Sequence, residues 1–113
     1  MTHIPFLPTA EEEFLRQVAS YEGERPGLGA DFLEEVNRAT RRIASFPRHG
    51  SPYLAGTRRV VLKRFPFSVV YLEEPAGSLI VAIAHQRRKP GYWAARVSRR
   101  PWSGYVADSN PPL

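Results

Sequence analysis

One stretch carries most of the groups able to do chemistry: His85-Gln86-Arg87-Arg88-Lys89-Pro90-Gly91-Tyr92-Trp93. An imidazole, three cations and a phenol arrive together. Such a set could cleave RNA by attack of the 2′-oxygen on phosphorus. That reaction needs a base for the 2′-proton, an acid for the leaving 5′-oxygen and cations for the pentacovalent phosphate. Histidine is the side chain that titrates nearest neutrality, which makes His85 the candidate base. Tyr92, Lys63, Arg87 and Arg88 are the candidates for acid and electrostatic clamp. Each also has a plain structural reading. A histidine at a strand end is more often a hydrogen-bonding group than a catalyst. Tyr92 and Trp93 can pack a C-terminal segment onto a sheet, and Arg58 and Arg59 can be solvated strand charges.

Other chemistries are poorly supplied. Three dispersed histidines with no His/Asp/Glu cluster make no metal site, and no metal is expected. The chain has no cysteine, which excludes thiolate ligands, cysteine nucleophiles and disulfides. Pro26-Gly27-Leu28-Gly29 lacks the lysine and the preceding strand of a phosphate-cradling loop. No cofactor is expected.

The elements that must position these groups can be read from periodicity. Leu79-Ile80-Val81-Ala82-Ile83-Ala84 is uninterruptedly apolar and rich in branched side chains, the pattern of a strand buried on both faces. It delivers His85 and the basic cluster to one end of a sheet. Upstream, residues 58–65 and 67–72 read as two further strands, broken at Pro66, and Glu74-Pro75-Ala76-Gly77 is a turn. Three strands joined by short turns form an antiparallel meander. Residues 47–57 read as a loop. Residues 3–7 could add a first strand, and Pro5, which cannot donate to a ladder, confines it to an edge.

Two helices precede the meander. Ala10, Phe14, Val18 and Tyr21 form one apolar stripe, with Thr9 and Glu12 as a capping box and Glu11, Glu12 and Glu13 at the positive end of the dipole. The helix is expected to end at Glu22-Gly23. Phe32, Val36, Ala39, Ile43 and Phe46 mark a second helix over roughly residues 30–45, closed by Pro47. The expected fold class is α+β, βααβββ, with a helical hairpin on one face of a small, mainly antiparallel sheet. A single domain is expected over 1–97, followed by a loosely ordered tail over 98–113 in which Trp102 and Tyr105 could dock.

Charge is asymmetric. The net charge is +5, yet residues 1–37 hold eight acids and two arginines, while residues 38–113 hold fourteen bases and three acids. Fourteen of the sixteen bases are arginine, whose forked guanidinium suits phosphate and carboxylate. An anionic partner is therefore expected, either nucleic acid or an acidic protein. No apolar run approaches the ~20 residues of a membrane span, and the N-terminus lacks the pattern of a signal peptide. A cytoplasmic protein without membrane partners is the expectation.

Arg64-Phe65-Pro66-Phe67-Ser68-Val69-Val70-Tyr71, Val81-Ala82-Ile83-Ala84-His85-Gln86-Arg87-Arg88-Lys89-Pro90-Gly91-Tyr92-Trp93 and the upstream Pro26-Gly27-Leu28-Gly29 together resemble the RelE/ParE superfamily of toxins from type II toxin–antitoxin systems, over about residues 8–96. The resemblance implies the βααβββ fold and neutralisation by an acidic cognate antitoxin in a hetero-oligomer. Its branches imply different targets. ParE-like members poison DNA gyrase, and RelE-like members cut mRNA on the ribosome without a metal. The His-x-Arg-Arg-x-Pro-x-Tyr-Trp ending is closer to the ParE-like branch, which implies a gyrase inhibitor that does no covalent chemistry. The alternative is a ribosome-dependent endoribonuclease using Lys63, His85, Arg87, Arg88 and Tyr92. In either case Arg58, Arg59, Lys63, Arg64, Arg87, Arg88, Lys89 and Trp93 are the expected target- or antitoxin-binding residues.

Overall fold

The structure, a computed structural model, describes residues 4–98; the expected tail residues beyond Ser98, with Trp102 and Tyr105, lie outside the described residues. Helix α1 (Pro8–Glu24) and helix α2 (Leu28–Ser45) form the hairpin. Strands β1 (Ser51–Pro52), β2 (Arg58–Val61), β3 (Phe67–Leu72) and β4 (Leu79–His85) follow, then a short helix α3 (Ala94–Ser98). The four strands form one antiparallel sheet in the order β1-β2-β3-β4. The α+β class and the helical hairpin covering the sheet agree with the sequence. No helix among the described residues is long and apolar enough to cross a membrane.

The expected first strand shrinks to one parallel bridge between Phe6 and Ile80. Leu7 N–H donates to Ile80 O and Ile80 N–H to Pro5 O, both at 2.9 Å. Pro5 offers no N–H and Pro8 already begins α1, so only this short span can pair. Pro8, with its fixed φ, also corrects the expected capping box. The helix starts at Pro8 behind Leu7, leaving Thr9 inside it with no side-chain cap. Within the expected loop, Ser51 and Pro52 pair with Arg59 and Arg58, and a 3₁₀ turn spans Leu54–Gly56. The strand expected over 58–65 stops at Val61, because Leu62 N–H closes onto Phe67 O at 2.9 Å and turns the hairpin there.

Pro26-Gly27-Leu28-Gly29 performs two mechanical tasks. Gly27 sits at φ +90°, a left-handed geometry that other residues adopt only with strain. Gly29 lies so close to α1 that a Cβ would come within 2.5 Å of Val18 O. The Glu22 carboxylate accepts from the N–H groups of Gly27 (3.0 and 3.1 Å) and Gly29 (3.1 Å), supplying acceptors at the start of α2. The core lies between hairpin and sheet. Phe32 of α2 packs on Phe65 and Phe67 at centroid distances of 5.1 and 5.2 Å, and Tyr21 of α1 lies 5.0 Å from Phe65. All six residues of β3 are buried. Its far face is closed by the segment after β4.

Candidate functional site

The site begins where β4 ends. His85 pairs with Phe67 across β3 and β4, and its ring meets Phe67 edge-on at 4.9 Å. Phe67 packs on Phe32 and Tyr21, so His85 belongs to the helix side of the sheet. Its Nδ1 accepts the Arg87 N–H at 2.9 Å, its carbonyl accepts the Arg88 N–H at 3.0 Å, and Gln86 N–H ties to Pro66 O at 2.8 Å. The imidazole thus fastens the turn that follows the strand. Alternation puts Ala84, Ser68, Val70 and Arg59 on the opposite face.

The chain then bends through Gly91 (φ +80°) and lays Tyr92 and Trp93 back over the sheet. Trp93 is 1% exposed, with Tyr53 5.8 Å away ring to ring. The indole fills the sheet's uncovered face and is core, the packing role that the sequence offered beside the binding one. Tyr92 is committed as well. Its hydroxyl donates to Glu13 Oε2 at 2.8 Å, while the Arg88 guanidinium lies 3.7 Å from its ring centroid.

Glu13 is the hub of this corner. Its carboxylate accepts both Arg96 terminal nitrogens, at 3.0 and 2.7 Å, along with the Tyr92 hydroxyl and the Ile83 N–H at 3.2 Å. Arg96 also donates to Val81 O at 2.9 Å. Burial alone would raise the Glu13 carboxyl, but the hydrogen bonds from Arg96 and Tyr92 and the Arg96 charge outweigh it and hold it below its ordinary value. Burial, then the hydrogen bond to Glu13 and its negative charge, pushes the Tyr92 phenol far above its ordinary range. The Tyr92 proton is shared with the Glu13 carboxylate in this arrangement. Neither Glu13 nor Arg96 stands out in the sequence as a site. The available signal was Glu13 three residues after Ala10 and four before Gln17, on the flank of the buried stripe of α1.

The expected cations divide. Arg58 is structural: Nε meets Glu73 at 3.4 Å, and a terminal nitrogen donates to Gly50 O at 2.8 Å, with the side chain 17% exposed. It staples the loop before β1 to β2. Arg64 reaches Asp31 at 3.3 Å on the surface. Arg59 stacks over Tyr53 at 4.2 Å. Arg87, Arg88, Lys89 and Lys63 are exposed. Arg59, Arg88 and Lys89, with Tyr53, border a cleft of about 120 Å³ on the sheet's far face. Lys63 lies beyond β2, in a separate groove against α2. Of the five expected catalytic residues, His85, Arg88 and Tyr92 border the far-face cleft, with the His85 ring edge-on to Phe67 and the Tyr92 hydroxyl held by Glu13, whereas Lys63 is in the other groove and Arg87 is exposed outside both. Among the described residues no group of three His, Cys, Asp or Glu could hold a metal.

Comparison with known proteins fits this geometry. The family model described as the ParE toxin of type II toxin–antitoxin systems, parDE, matches residues 4–90. A solved structure titled "Chromosomal ParDE TA system from P. aeruginosa" superposes with a TM-score of 0.64 at 16% identity, covering 75% of this chain and 96% of that one. At that identity the likeness bears on the fold. No curated protein matches the chain.

Proposed function

The chain belongs to the ParE toxin family of type II toxin–antitoxin systems, and we propose that it arrests growth in the cytoplasm by binding DNA gyrase, with no covalent step of its own, until an acidic cognate antitoxin neutralises it. The observation that carries this reading is the commitment of both candidate proton-transfer groups. The Tyr92 hydroxyl is given to Glu13 and the His85 Nδ1 to the Arg87 N–H. General acid–base catalysis needs such groups within reach of the reacting atoms and free to exchange protons. What remains exposed is charge: Arg87, Arg88 and Lys89 at the end of β4, the last two joining Arg59 around the small far-face cleft. Fixed guanidinium groups on a rigid sheet end bind carboxylate or phosphate surfaces without transforming them.

The test uses purified protein in two assays. Gyrase supercoiling should be inhibited, and translating ribosomes supplied with mRNA should show no new cleavage. Arg87→Glu/Arg88→Glu should relieve gyrase inhibition while leaving thermal stability near wild type. Ribosome-dependent mRNA cleavage that is lost in His85→Ala would overturn the proposal in favour of the endoribonuclease reading.

A further inference from the structure

The sheet has a second basic surface, distinct from the end of β4. It lies along the free edge of β2, where α2 runs beside the strand. A groove of about 240 Å³ is bordered by Arg38 and Arg42 of α2, by Val61 and Lys63, and by His49. Arg38 and Arg42, four residues apart on α2, share one ridge, and Phe46 caps the helix just beyond it. Phe46 is 65% exposed.

The strand edge here is incomplete. Leu62 N–H bonds to Phe67 O, so by alternation Val61 turns its own N–H and C=O away from β3. On the outer side β1 supplies partners only as far as Ser51 opposite Arg59. The next residue that could pair, His49, gives its N–H to Phe46 O at 2.8 Å instead. The N–H of Lys63, one step further along the edge, is taken by Glu35 Oε2 at 2.7 Å. One main-chain position, Val61, is thus left open between two closed ones, and its side chain is 48% exposed.

The exposed charge around this position is positive. Arg42 and Lys63 have no ion pair among the described residues, and Arg38 has only a surface contact with Glu34 at 3.7 Å. The single carboxylate in the groove, Glu35, is buried; its Oε2 accepts the main-chain N–H groups of Lys63 and Arg64, while its Oε1 has no hydrogen-bond partner among the described residues. An open hydrogen-bonding position in a groove bordered by three cations suits a short extended peptide bearing carboxylates.

We propose that this groove receives an acidic, extended segment of the antitoxin, which pairs with the main chain of Val61 and sets its carboxylates against Arg38, Arg42 and Lys63. The assignment rests on the toxin reading above and separates two surfaces: the antitoxin anchors at the β2 edge, and the target is met at the end of β4.

The experiment measures binding by calorimetry, using the cognate antitoxin as the probe. Arg42→Glu/Lys63→Glu should weaken binding by about tenfold or more, since rim charges reversed against an acidic segment repel it. Val61→Pro should weaken it as well, because it removes an N–H that the folded protein itself does not use, at an edge position where proline is tolerated. Val61→Thr, which keeps the N–H, should bind like wild type. Each variant is first checked by its thermal melt. If folded Arg42→Glu/Lys63→Glu and Val61→Pro both bind like wild type, the groove assignment is overturned while the toxin reading stands. If wild type itself fails to bind the antitoxin, the toxin reading falls, and the groove assignment with it.

Discussion

Replacing Glu13 with alanine removes the acceptor that joins α1, β4 and α3. Four donor contacts converge on that carboxylate: two from Arg96, one from Tyr92 and one from the Ile83 N–H. The pair is largely withdrawn from water, with the Arg96 side chain 21% exposed and that of Glu13 13%. Deleting one member of a partly buried, bidentate ion pair costs less than the full buried case but more than a surface bridge, about 2–4 kcal/mol. The alanine is itself the better helix former, so no helix-propensity loss can account for the drop. For a domain of this size about 4–8 °C of melting temperature is lost per kcal/mol, and Glu13→Ala should melt about 10–25 °C lower. Urea unfolding followed by circular dichroism reads the free energy. A double-mutant cycle with Arg96→Met should give a coupling of about 1–3 kcal/mol. A loss under about 0.5 kcal/mol, or a cycle additive within about 0.3 kcal/mol, would refute the hub.

The same carboxylate sets a pH dependence. Its pKa is lowered on folding from an ordinary 4.5, so its contribution is present above that value and lost as the pH falls through the lowered folded one. The gap in urea midpoint between wild type and Glu13→Ala should therefore be widest near neutrality and shrink in acid. Gly29→Ala should cost about 1–3 kcal/mol by urea unfolding, since its Cβ would meet Val18 O at 2.5 Å. Gly23→Ala, with nothing within 4 Å, should be neutral or stabilising. Trp93→Ala should destabilise by about 3–5 kcal/mol in the same assay, whereas Arg87→Ala should leave stability unchanged, Arg88→Ala should cost at most about 1 kcal/mol for the lost stacking on Tyr92, and both should weaken gyrase inhibition.

The elements were legible because each has a period. The stripes of α1 and α2 and the apolar run of β4 name their buried faces directly, and Pro66 and the Glu74–Gly77 turn separate the strands. The errors fall where a local rule met a competing one. Thr9 and Glu12 satisfy the spacing of a capping box, but Pro8 begins the helix one residue too early for it. Trp93 carried two readings in the sequence, a binding ring or a ring packing the C-terminal segment on the sheet, and its burial follows the second. Glu13 was legible as a helix-dipole charge and not as a hub, because its main partner lies 83 residues away and long-range polar pairing has no sequence period. Arg58 illustrates the same blindness: beside Arg59 it reads as one of a cationic pair, yet the two side chains alternate across the strand, one onto Glu73 and the Gly50 carbonyl, the other over Tyr53.

The two edges of the sheet explain why the polar residues are distributed this way. An unpaired strand edge invites association with another chain, and proteins close edges they do not use. The β4 edge is closed three times over: the Phe6 bridge holds Ile80, Glu13 takes the Ile83 N–H, and Arg96 takes the Val81 carbonyl. Tyr92 is drawn into that closure, which is why a residue at a promising position for proton transfer is spent on architecture. The β2 edge is treated differently. β1 covers two residues of it, Glu35 seals the Lys63 N–H, and Val61 is left between them beneath a ridge of α2 bearing Arg38 and Arg42. A fold that closes one edge with a network of buried charge yet leaves one position of the other open among cations uses the first for stability and offers the second to a partner.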